Sequence, residues 1–379
     1  MVKRSAQLEH LYAALGDYVA GGRPDGIFAA RLGGPGSVPE LTDLGMAEWQ
    51  LDLLPFPPMP QQRAALGHLG YTLAAEDAGR LTFTPPPSSA PAALKVVLLN
   101  HDLGCSHRQQ VLWAELSGPL ADGMRAEYRR VFTAAGSDGA GREAADAALW
   151  PAARDAHLER TRFGPLERAR ALLEPLGLPW MFAAGWALDL HRHAVLGALP
   201  TRPHEDTDVI VGRETQMEVR GALHRAGYTL RAVQGGMYTD WDTPLEAPDY
   251  QVHAYPPPHP EHTEMLDLIL TDFSGDCPSG QTPASEQTPA SEQTWHYRRD
   301  PAIALPMAQA RRVSAAGFPY LTPEAALLFK ANVARGEIRP KDQQDFEGVL
   351  PALGAAARLW LSARIGEGHA WQASLDRAR

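Results

Sequence analysis

The sequence predicts an α+β protein with two domains, each a small mixed, largely antiparallel sheet backed by helices. Its 379 residues suit two domains of ordinary size, and a hydrophobic share of 44% is enough to fill two cores. In the second half, short apolar segments that fit strands alternate with helical patterns, and a helical region begins at Pro323. We place the domains at residues 1–160 and 161–379.

The second domain begins with a helical pattern over residues 165–176. A short buried strand is then expected around Trp180, followed by a tight turn at Ala184 and Gly185 and a helix that begins near Trp186. A glycine turn that opens a helix offers free backbone N–H groups and the positive end of the helix dipole to an anion. This segment therefore suits a phosphate.

The stretch from Thr201 to Val211 carries two aspartates, Asp206 and Asp208, at the start of an apolar run. If the run is a strand, its alternating side chains place both carboxylates on one face, about 6–7 Å apart. Carboxylates at that distance repel each other unless a cation lies between them, and magnesium is a hard ion that takes few carboxylates. The alternative is a solvated loop edge without a chemical role.

Five segments in the second half follow a known order of motifs. They are Ala-Gly-Trp-Ala-Leu-Asp-Leu (184–190), Thr-Arg-Pro-His-Glu-Asp-Thr-Asp (201–208), Trp-His-Tyr-Arg-Arg-Asp-Pro (295–301), Tyr-Leu-Thr-Pro-Glu-Ala-Ala-Leu-Leu-Phe-Lys (320–330) and Lys-Asp-Gln-Gln-Asp-Phe (341–346). In this order they resemble the nucleotidyltransferases of the polymerase-β superfold, in the branch with the aminoglycoside and lincosamide nucleotidyltransferases. The resemblance covers residues 165–365. Two departures are Ala184 in place of a glycine and a longer loop over 191–201.

The resemblance implies a metal site of three carboxylates, with Asp267 joining Asp206 and Asp208. Asp267 lies in an apolar segment, 264–270, that reads as a buried strand, and we prefer it to Glu264 as the family's acidic position. The alternative is a capped or surface carboxylate. The family's chemistry uses Mg²⁺ or Mn²⁺ and an NTP such as ATP, and Asp267 would take the proton from an acceptor hydroxyl.

Four residues are expected to contact the nucleotide: Gly185, Trp186, Arg202 and Lys330. For Arg202 the alternative is an ion pair with Glu205 or Asp206, and for Lys330 it is a salt bridge between helices. His204 is expected to support the loop rather than to transfer a proton. Three charged residues of the following helix are expected to pin helices by salt bridges rather than to catalyse: Lys341, Asp342 and Asp345.

The first half shows a fainter resemblance to the GrpB-type family. It rests on Gly33–Leu41, Leu51–Leu54, Leu66–Tyr71, a strand over 94–100 and a helix around 126–130. That family is similar in fold and has a Gly-Ser turn and a strand aspartate. Here Pro35 follows the glycines, and Asp52 has only Gln50 as its neighbour on the same face. We therefore interpret residues 1–160 as a degenerate, noncatalytic copy that serves substrate capture or dimerisation. An unrelated α+β domain is the alternative.

Composition limits the partners. A net charge of −10 disfavours nonspecific binding to nucleic-acid backbones, although a local basic patch can still bind RNA. The two cysteines, Cys105 and Cys277, fit a reducing cytoplasm, and neither a signal peptide nor a membrane-spanning run is recognisable. A repeated Gln-Thr-Pro-Ala-Ser-Glu predicts a flexible loop over 274–294. The His-rich patch around His259 lacks zinc-site spacing.

Three functions follow from these observations. The favoured one is a magnesium-dependent nucleotidyltransferase that acts on a hydroxyl of a small molecule. The second is the same chemistry on a tRNA or protein acceptor. The third is a noncatalytic nucleotide-binding protein. The sequence defines neither the acceptor, the preferred base nor the oligomeric state, with a homodimer among the alternatives.

Overall fold

The computed structural model describes most of the chain, in two compact units, Met1–Arg160 and Thr161–Arg379. The described residues are 27–33, 35–44, 48–53, 60–77, 80–86, 95–100, 105–136, 139–235, 237–257, 265–273, 293–333 and 338–377. The predicted flexible loop lies outside them, apart from its last two residues, and so does His259. The α+β class is confirmed, since both units combine helices with a sheet.

The first unit contains a five-stranded sheet of order β1-β2-β5-β4-β3. Its strands are β1 (Ile27–Gly33), β2 (Glu48–Leu53), β3 (Thr72–Asp77), β4 (Arg80–Thr84) and β5 (Lys95–Asn100). Its helices are α1 (Pro60–His68), α2 (Cys105–Leu116), α3 (Asp122–Ala135) and α4 (Gly139–Thr161), with 3-10 turns at Pro35–Ser37 and Pro39–Leu44. A cluster that includes Trp113, Tyr128 and Phe132 forms its helical core.

The second unit contains an eight-stranded mixed sheet of order β14-β15-β6-β7-β11-β10-β8-β9 and the two-stranded sheet β12-β13. Its strands are β6 (Trp180–Phe182), β7 (Asp206–Gly212), β8 (Thr229–Gln234), β9 (Met237–Asp240), β10 (Gln251–Tyr255), β11 (Met265–Thr271), β12 (Thr294–His296), β13 (Ala304–Pro306), β14 (Arg311–Val313) and β15 (Pro319–Leu321). The large sheet exceeds the small one expected, because segments 229–240 and 311–321 add strands at its edges.

The helices of the second unit are α5 (Gly164–Leu173), α6 (Ala184–Leu196), α7 (Gln216–Arg225), α8 (Met307–Ala310), α9 (Pro323–Lys330), α10 (Pro340–Val349), α11 (Ala355–Ile365) and α12 (Gln372–Arg377). The 3-10 turns are Glu174–Leu176, Arg213–Thr215 and Leu350–Ala352. Four of the described helices begin at or after Pro323, as the sequence predicts for a helical C-terminal region. Proline begins α9, but the hydroxyl of the N-cap residue Thr322 makes no capping hydrogen bond.

The two units share one topology in their central strands. In each, an antiparallel pair (β1-β2, β6-β7) is followed across the sheet by a parallel neighbour (β5, β11) and then by antiparallel strands. The spatial orders β1-β2-β5-β4-β3 and β6-β7-β11-β10-β8 therefore correspond strand by strand, and α1 and α7 occupy the same place in the connection. This internal repeat lets residues of the two sheets be compared directly.

The core of the second unit lies between the sheet and the helices around it. The central strands are buried over most of their length, as are most residues of α9 and the first half of α6. The core includes Val209, Leu268, Leu188 and Leu327. Among the helices that the structure describes, none combines the length and apolar character needed to cross a bilayer.

Candidate active site

Three carboxylates lie along one face of the central sheet. β7 and β11 are parallel neighbours, and their register pairs Asp208 with Asp267 and Asp206 with Met265. Side chains alternate along a strand, so Asp206 and Asp208 share a face, and Asp267, level with Asp208, points to that face as well. The three residues named from the sequence as a metal site are therefore brought together. We call this place the acidic edge: Asp206, Asp208 and Asp267.

The acidic edge is electrostatically unfavourable in the protein alone. Burial, together with the carboxylate of Asp206, raises the pKa of Asp208 to about 7. Burial and the carboxylates of Asp208 and Asp206 raise the pKa of Asp267 well above its usual range. Lysine and arginine side chains nearby oppose the shift at Asp208 without cancelling it. A nearby cation would favour the charged form of these groups.

The side-chain oxygens of Asp267 show how well a metal ion suits this edge. Oδ2 accepts a hydrogen bond of 2.7 Å from Gln251 Nε2, whereas Oδ1 is buried and accepts none from the described residues. The Nε2 atom of His253 lies 3.8 Å from Oδ1. Carboxylate oxygens are the donors that hard divalent cations prefer. Across the described chain, however, no group of three or more His, Cys, Asp or Glu is already arranged as a metal-binding set. The carboxylate oxygens are thus suitable ligands for a divalent cation, but their side chains are not arranged in a coordination geometry.

The turn between β6 and α6 lies beside the acidic edge. The backbone N–H of Ala183 donates to the carbonyl of Asp208, at 3.0 Å, and the indole N–H of Trp186 donates to the carbonyl of Asp206, also at 3.0 Å. Ala184 has a φ of 45°, a left-handed conformation that favours glycine. The departure from the family's glycine pair thus falls on a residue whose backbone would suit glycine.

Gly185 is required for a different reason. A Cβ atom at this position would lie 2.7 Å from Nδ1 of His204 and 3.2 Å from Nη2 of Arg202. Neither distance leaves room for a methyl group without a shift of those side chains. The glycine therefore allows the loop before β7 to pack directly onto the start of α6.

His204 is held in a buried cluster that the sequence did not reveal. Its Nε2 lies 2.6 Å from Oδ2 of Asp189, and Asp189 Oδ1 accepts hydrogen bonds from the backbone N–H and hydroxyl of Thr201, at 2.9 and 3.0 Å. The ring of Trp186 lies 4.3 Å from the His204 ring. These contacts fix the loop that leads into the acidic pair, in agreement with the supporting role expected for His204.

Arg202 and Lys330 are engaged in a buried ion-pair network. Arg202 forms a two-pronged pair with Asp345, at 2.9 and 3.1 Å, so the alternative partners Glu205 and Asp206 proposed from sequence were wrong. Asp345 is distant in sequence, which is why local spacing could not identify it. The Nζ of Lys330 lies 2.7 Å from Asp345 and 3.0 Å from Asp342.

The network keeps its carboxylates ionised. Burial alone would raise the pKa of Asp345, but Lys330 and Arg202 outweigh it and lower that pKa well below its usual range. The pKa of Asp342 is also lowered, by Lys330 and Arg339 against burial. Asp342 and Asp345 therefore occupy the salt-bridge role expected of them. Direct contact of Arg202 and Lys330 with phosphate stays a prediction.

The corresponding edge of the first unit has different chemistry. β2 begins with Glu48 and β5 runs parallel to it, with Gln50 level with Val97. By strand position Glu48, Gln50 and Val97 thus match Asp206, Asp208 and Asp267. Sequence reasoning centred on Asp52 and overlooked Glu48, because a glutamate before a tryptophan carries no recognisable motif.

A guanidinium lies against this first edge. Glu48 is buried and its Oε2 accepts a hydrogen bond of 2.5 Å from Arg142 Nη1. Gln50 Nε2 donates to Glu48 Oε1 at 3.0 Å. Arg142 also lies 3.6 Å from Asp146, whose other oxygen accepts from the hydroxyl of Tyr128. At this edge, the positive charge next to the carboxylate is therefore supplied by the side chain of Arg142.

Comparison with known proteins gives a limited likeness. No protein-family model matches the chain, and no curated protein matches it. Similar solved structures include ANT(2″)-Ia in complex with adenylyl-2″-tobramycin, at 17% identity over 53% of this chain and 93% of that chain, with a TM-score of 0.31. The lincosamide antibiotic adenylyltransferase LnuA with lincomycin bound is 14% identical over 50% of this chain and 97% of that chain, with a TM-score of 0.34. The Megavirus polyadenylate synthase is 8% identical over 96% of this chain and 71% of that chain, with a TM-score of 0.29.

The resemblance expected from the motifs therefore stays a likeness, since each of these structures has a TM-score below 0.5. The GrpB-like resemblance of the first half is not among these similarities and stays a prediction. Because the TM-scores are low, the assignment of function below rests on the geometry of the acidic edge.

Proposed function

We propose that the second unit is a nucleotidyltransferase that moves a nucleoside monophosphate from an NTP to a hydroxyl group of a small molecule. The observation that carries the proposal is the register of β7 and β11, which puts Asp267 level with Asp208 on the face that also holds Asp206. The carboxylate of Asp206 raises the pKa of Asp208, and both of these carboxylates raise the pKa of Asp267. Such a cluster is costly to fold, and sites of this kind are often functional.

Mg²⁺ or Mn²⁺ would be held by Asp206, Asp208 and Asp267. When bound, the ion neutralises charge on the nucleotide phosphates and on the pyrophosphate that leaves. Asp267 is suited to accept the proton of the acceptor hydroxyl, because its Oδ1 accepts no hydrogen bond from the described residues and its pKa is raised. The hydroxyl oxygen then bonds to the α-phosphorus as the bond to the bridging oxygen breaks.

The remaining residues orient these groups. The backbone N–H groups at the start of α6 suit a phosphate, since the turn at Ala184 and Gly185 leaves them at a helix N-terminus. Asp189, His204 and Trp186 fix the loop before β7. Arg202 and Lys330 lower the pKa of Asp208 while paired with Asp345, so they favour its charged form without leaving their network.

The first unit is, in this proposal, a noncatalytic copy that serves substrate capture or dimerisation. Gln50 and Val97 replace two of the three carboxylates, and Arg142 neutralises the third position, Glu48. A divalent cation would have to displace a buried, ion-paired guanidinium there, which is unfavourable.

The test follows an α-phosphate label from each of the four NTPs onto a panel of neutral, cationic and anionic hydroxyl compounds, with Mg²⁺ or Mn²⁺. We expect metal-dependent transfer by the wild-type chain. Asp208→Asn should reduce it at least about 100-fold. The matched control is Gln50→Asn in the first unit, which should leave transfer unchanged. No transfer to any small acceptor, despite metal-dependent NTP binding, would contradict the proposal.

A further inference from the structure

The second unit contains a cavity of about 830 Å³ at the C-terminal end of β11. Its wall includes Thr271 of β11 and Arg298 and Arg299, which follow β12. Thr271 is four residues from Asp267, so both side chains project from the same face of the strand, about 13 Å apart along it. The cavity therefore lies at the end of the strand that carries Asp267, and it is also lined there by Leu270 and Asp272.

The cavity is cationic although the chain as a whole is acidic. Three arginines line it, Arg213, Arg298 and Arg299, against one carboxylate, Asp272. Asp272 is committed to Arg213, whose Nε donates to it at 2.9 Å. Arg299 donates to the backbone carbonyl of Phe329 at 2.8 Å, and no carboxylate among the described residues forms an ion pair with it. An anion is the ligand that such a lining favours.

Arg298 is the side chain best placed to meet that anion. Its guanidinium carbon lies 3.6 Å from the centre of the Tyr250 ring and 5.5 Å from that of Phe329. None of the described residues forms a hydrogen bond or an ion pair with it, and it is exposed. Stacking on a ring holds the plane of a guanidinium while its N–H groups remain able to donate. Arg202, in contrast, is already committed to Asp345.

Arg298 also lies within electrostatic reach of the acidic edge. The aromatic rings and cavity wall that shield part of its guanidinium from water, together with the neighbouring Arg299, lower its pKa to about 10, and the carboxylate of Asp208 acts in the opposite direction. A ligand group that contacts Arg298 is consequently near the carboxylates proposed to hold the metal ion. In nucleotidyl transfer, the polyphosphate of the NTP is the anion that must lie beside the metal ion.

We propose that Arg298, assisted by Arg299, binds the polyphosphate of the nucleotide, including the part that leaves as pyrophosphate. This inference rests on the proposed function. It gives to Arg298 the role that sequence motifs suggested for Arg202 and Lys330, whose charges are satisfied inside the protein.

The test is calorimetric titration of the full chain with tripolyphosphate in the presence of a metal chelator. We expect measurable binding by the wild type and at least about tenfold weaker binding by Arg298→Gln, since hydrogen bonds to charged groups are stronger than those between neutral groups. Arg364→Gln is the matched control. Arg364 is also stacked on an aromatic ring, with its guanidinium carbon 3.9 Å from the centre of the Trp360 ring. The Arg364→Gln variant should bind tripolyphosphate as the wild type does.

Arg298→Lys provides a second variant that keeps the positive charge. It should bind tripolyphosphate with intermediate affinity, and thermal unfolding should show that all three variants are folded. Tripolyphosphate should also compete with MgATP. Equal binding by wild type and Arg298→Gln would overturn the inference. So would binding that depends on Arg298 but does not compete with MgATP, because the anion would then belong to the acceptor.

Failure of this inference can be told apart from failure of the proposed function. Tripolyphosphate binding needs neither metal nor turnover, whereas label transfer needs both. In transfer assays, Arg298→Gln should raise the KM for NTP at least about tenfold on the same grounds. Loss of transfer in Asp208→Asn together with unchanged tripolyphosphate binding in Arg298→Gln would refute only the role of Arg298.

Discussion

Asp208 and Asp267 stand level with each other on adjacent parallel strands. Burial raises the pKa of both; Asp206 adds to the shift at Asp208, and both Asp208 and Asp206 add to the shift at Asp267. A folded chain gains nothing from this arrangement by itself. The repulsion between the carboxylates therefore lowers the free energy of unfolding of the metal-free chain. Replacing one carboxylate by a neutral group should raise it again.

Asp208→Asn should stabilise the metal-free chain at pH 8. The pKa of Asp208 is about 7 when folded and near 3.8 when unfolded, so its unfavourable effect appears as the pH rises through that interval. We expect a rise in Tm of about 2–4 °C for each kcal/mol recovered at pH 8, and little change at pH 4. Differential scanning calorimetry in the presence of a chelator measures these Tm values. A lower Tm for this variant at pH 8 would show that the carboxylates do not repel each other as the geometry implies.

Asp345→Asn should have the opposite effect. The pKa of Asp345 is lowered in the folded chain, so its stabilising contribution is present above its unfolded pKa and is lost as the pH falls through the acidic range. Removing the charge leaves Arg202 and Lys330 buried near each other with one partner fewer, at a cost of about 3–5 kcal/mol. Denaturant unfolding at pH 7 should show that loss, and the difference from wild type should shrink towards pH 3. A difference that does not depend on pH would contradict the ion-pair account.

Gly185→Ala should destabilise the chain by about 1–3 kcal/mol, because the added methyl group collides with the His204 ring. It should also reduce nucleotidyl transfer, since that ring supports the loop leading to Asp206. Gly123→Ala in α3 serves as a control. A Cβ there meets nothing within 4 Å and the φ is not positive, so this change should be neutral or stabilising. Unfolding midpoints of the two variants give the comparison, and equal midpoints would show that the loop has room at Gly185.

Ala184→Gly should raise the unfolding temperature or leave it unchanged. Ala184 has a φ of 45°, and glycine adopts this conformation without the penalty that a Cβ incurs. The gain of about 1 kcal/mol is partly offset by the greater freedom of glycine in the unfolded chain. The measurement is thermal unfolding of Ala184→Gly compared with Ala356→Gly, an exposed alanine-to-glycine change within α11. The helical change should destabilise by about 1 kcal/mol, and an equal loss at Ala184 would refute the assignment of strain.

Much of the second unit was predictable because its motifs are local. Strands at 180–182 and 206–212 and helices after Ala184 and Pro323 each follow from apolar spacing, a turn or a proline within a few residues. The alignment of Asp267 with Asp208 was implied by family resemblance, and the register of two parallel strands places them together.

What the sequence could not provide were partners far apart along the chain. The pairing of Arg202 with Asp345 spans 143 residues, and that of Glu48 with Arg142 spans 94. Local charge patterns favoured nearby carboxylates such as Glu205, because spacing alone does not show which helix folds back over a loop. The stacking of Arg298 on Tyr250 was missed for the same reason.

The most direct test of the acidic edge is electron paramagnetic resonance of Mn²⁺ titrated into the full chain with an NTP. Free Mn²⁺ gives a six-line signal that decreases on binding. The account predicts that wild type and Gln50→Asn bind Mn²⁺ alike, whereas Asp208→Asn and Asp267→Asn leave the signal of free Mn²⁺ close to that of NTP alone. If the two aspartate variants removed as much free Mn²⁺ as the wild type does, Asp206, Asp208 and Asp267 would not be a metal site.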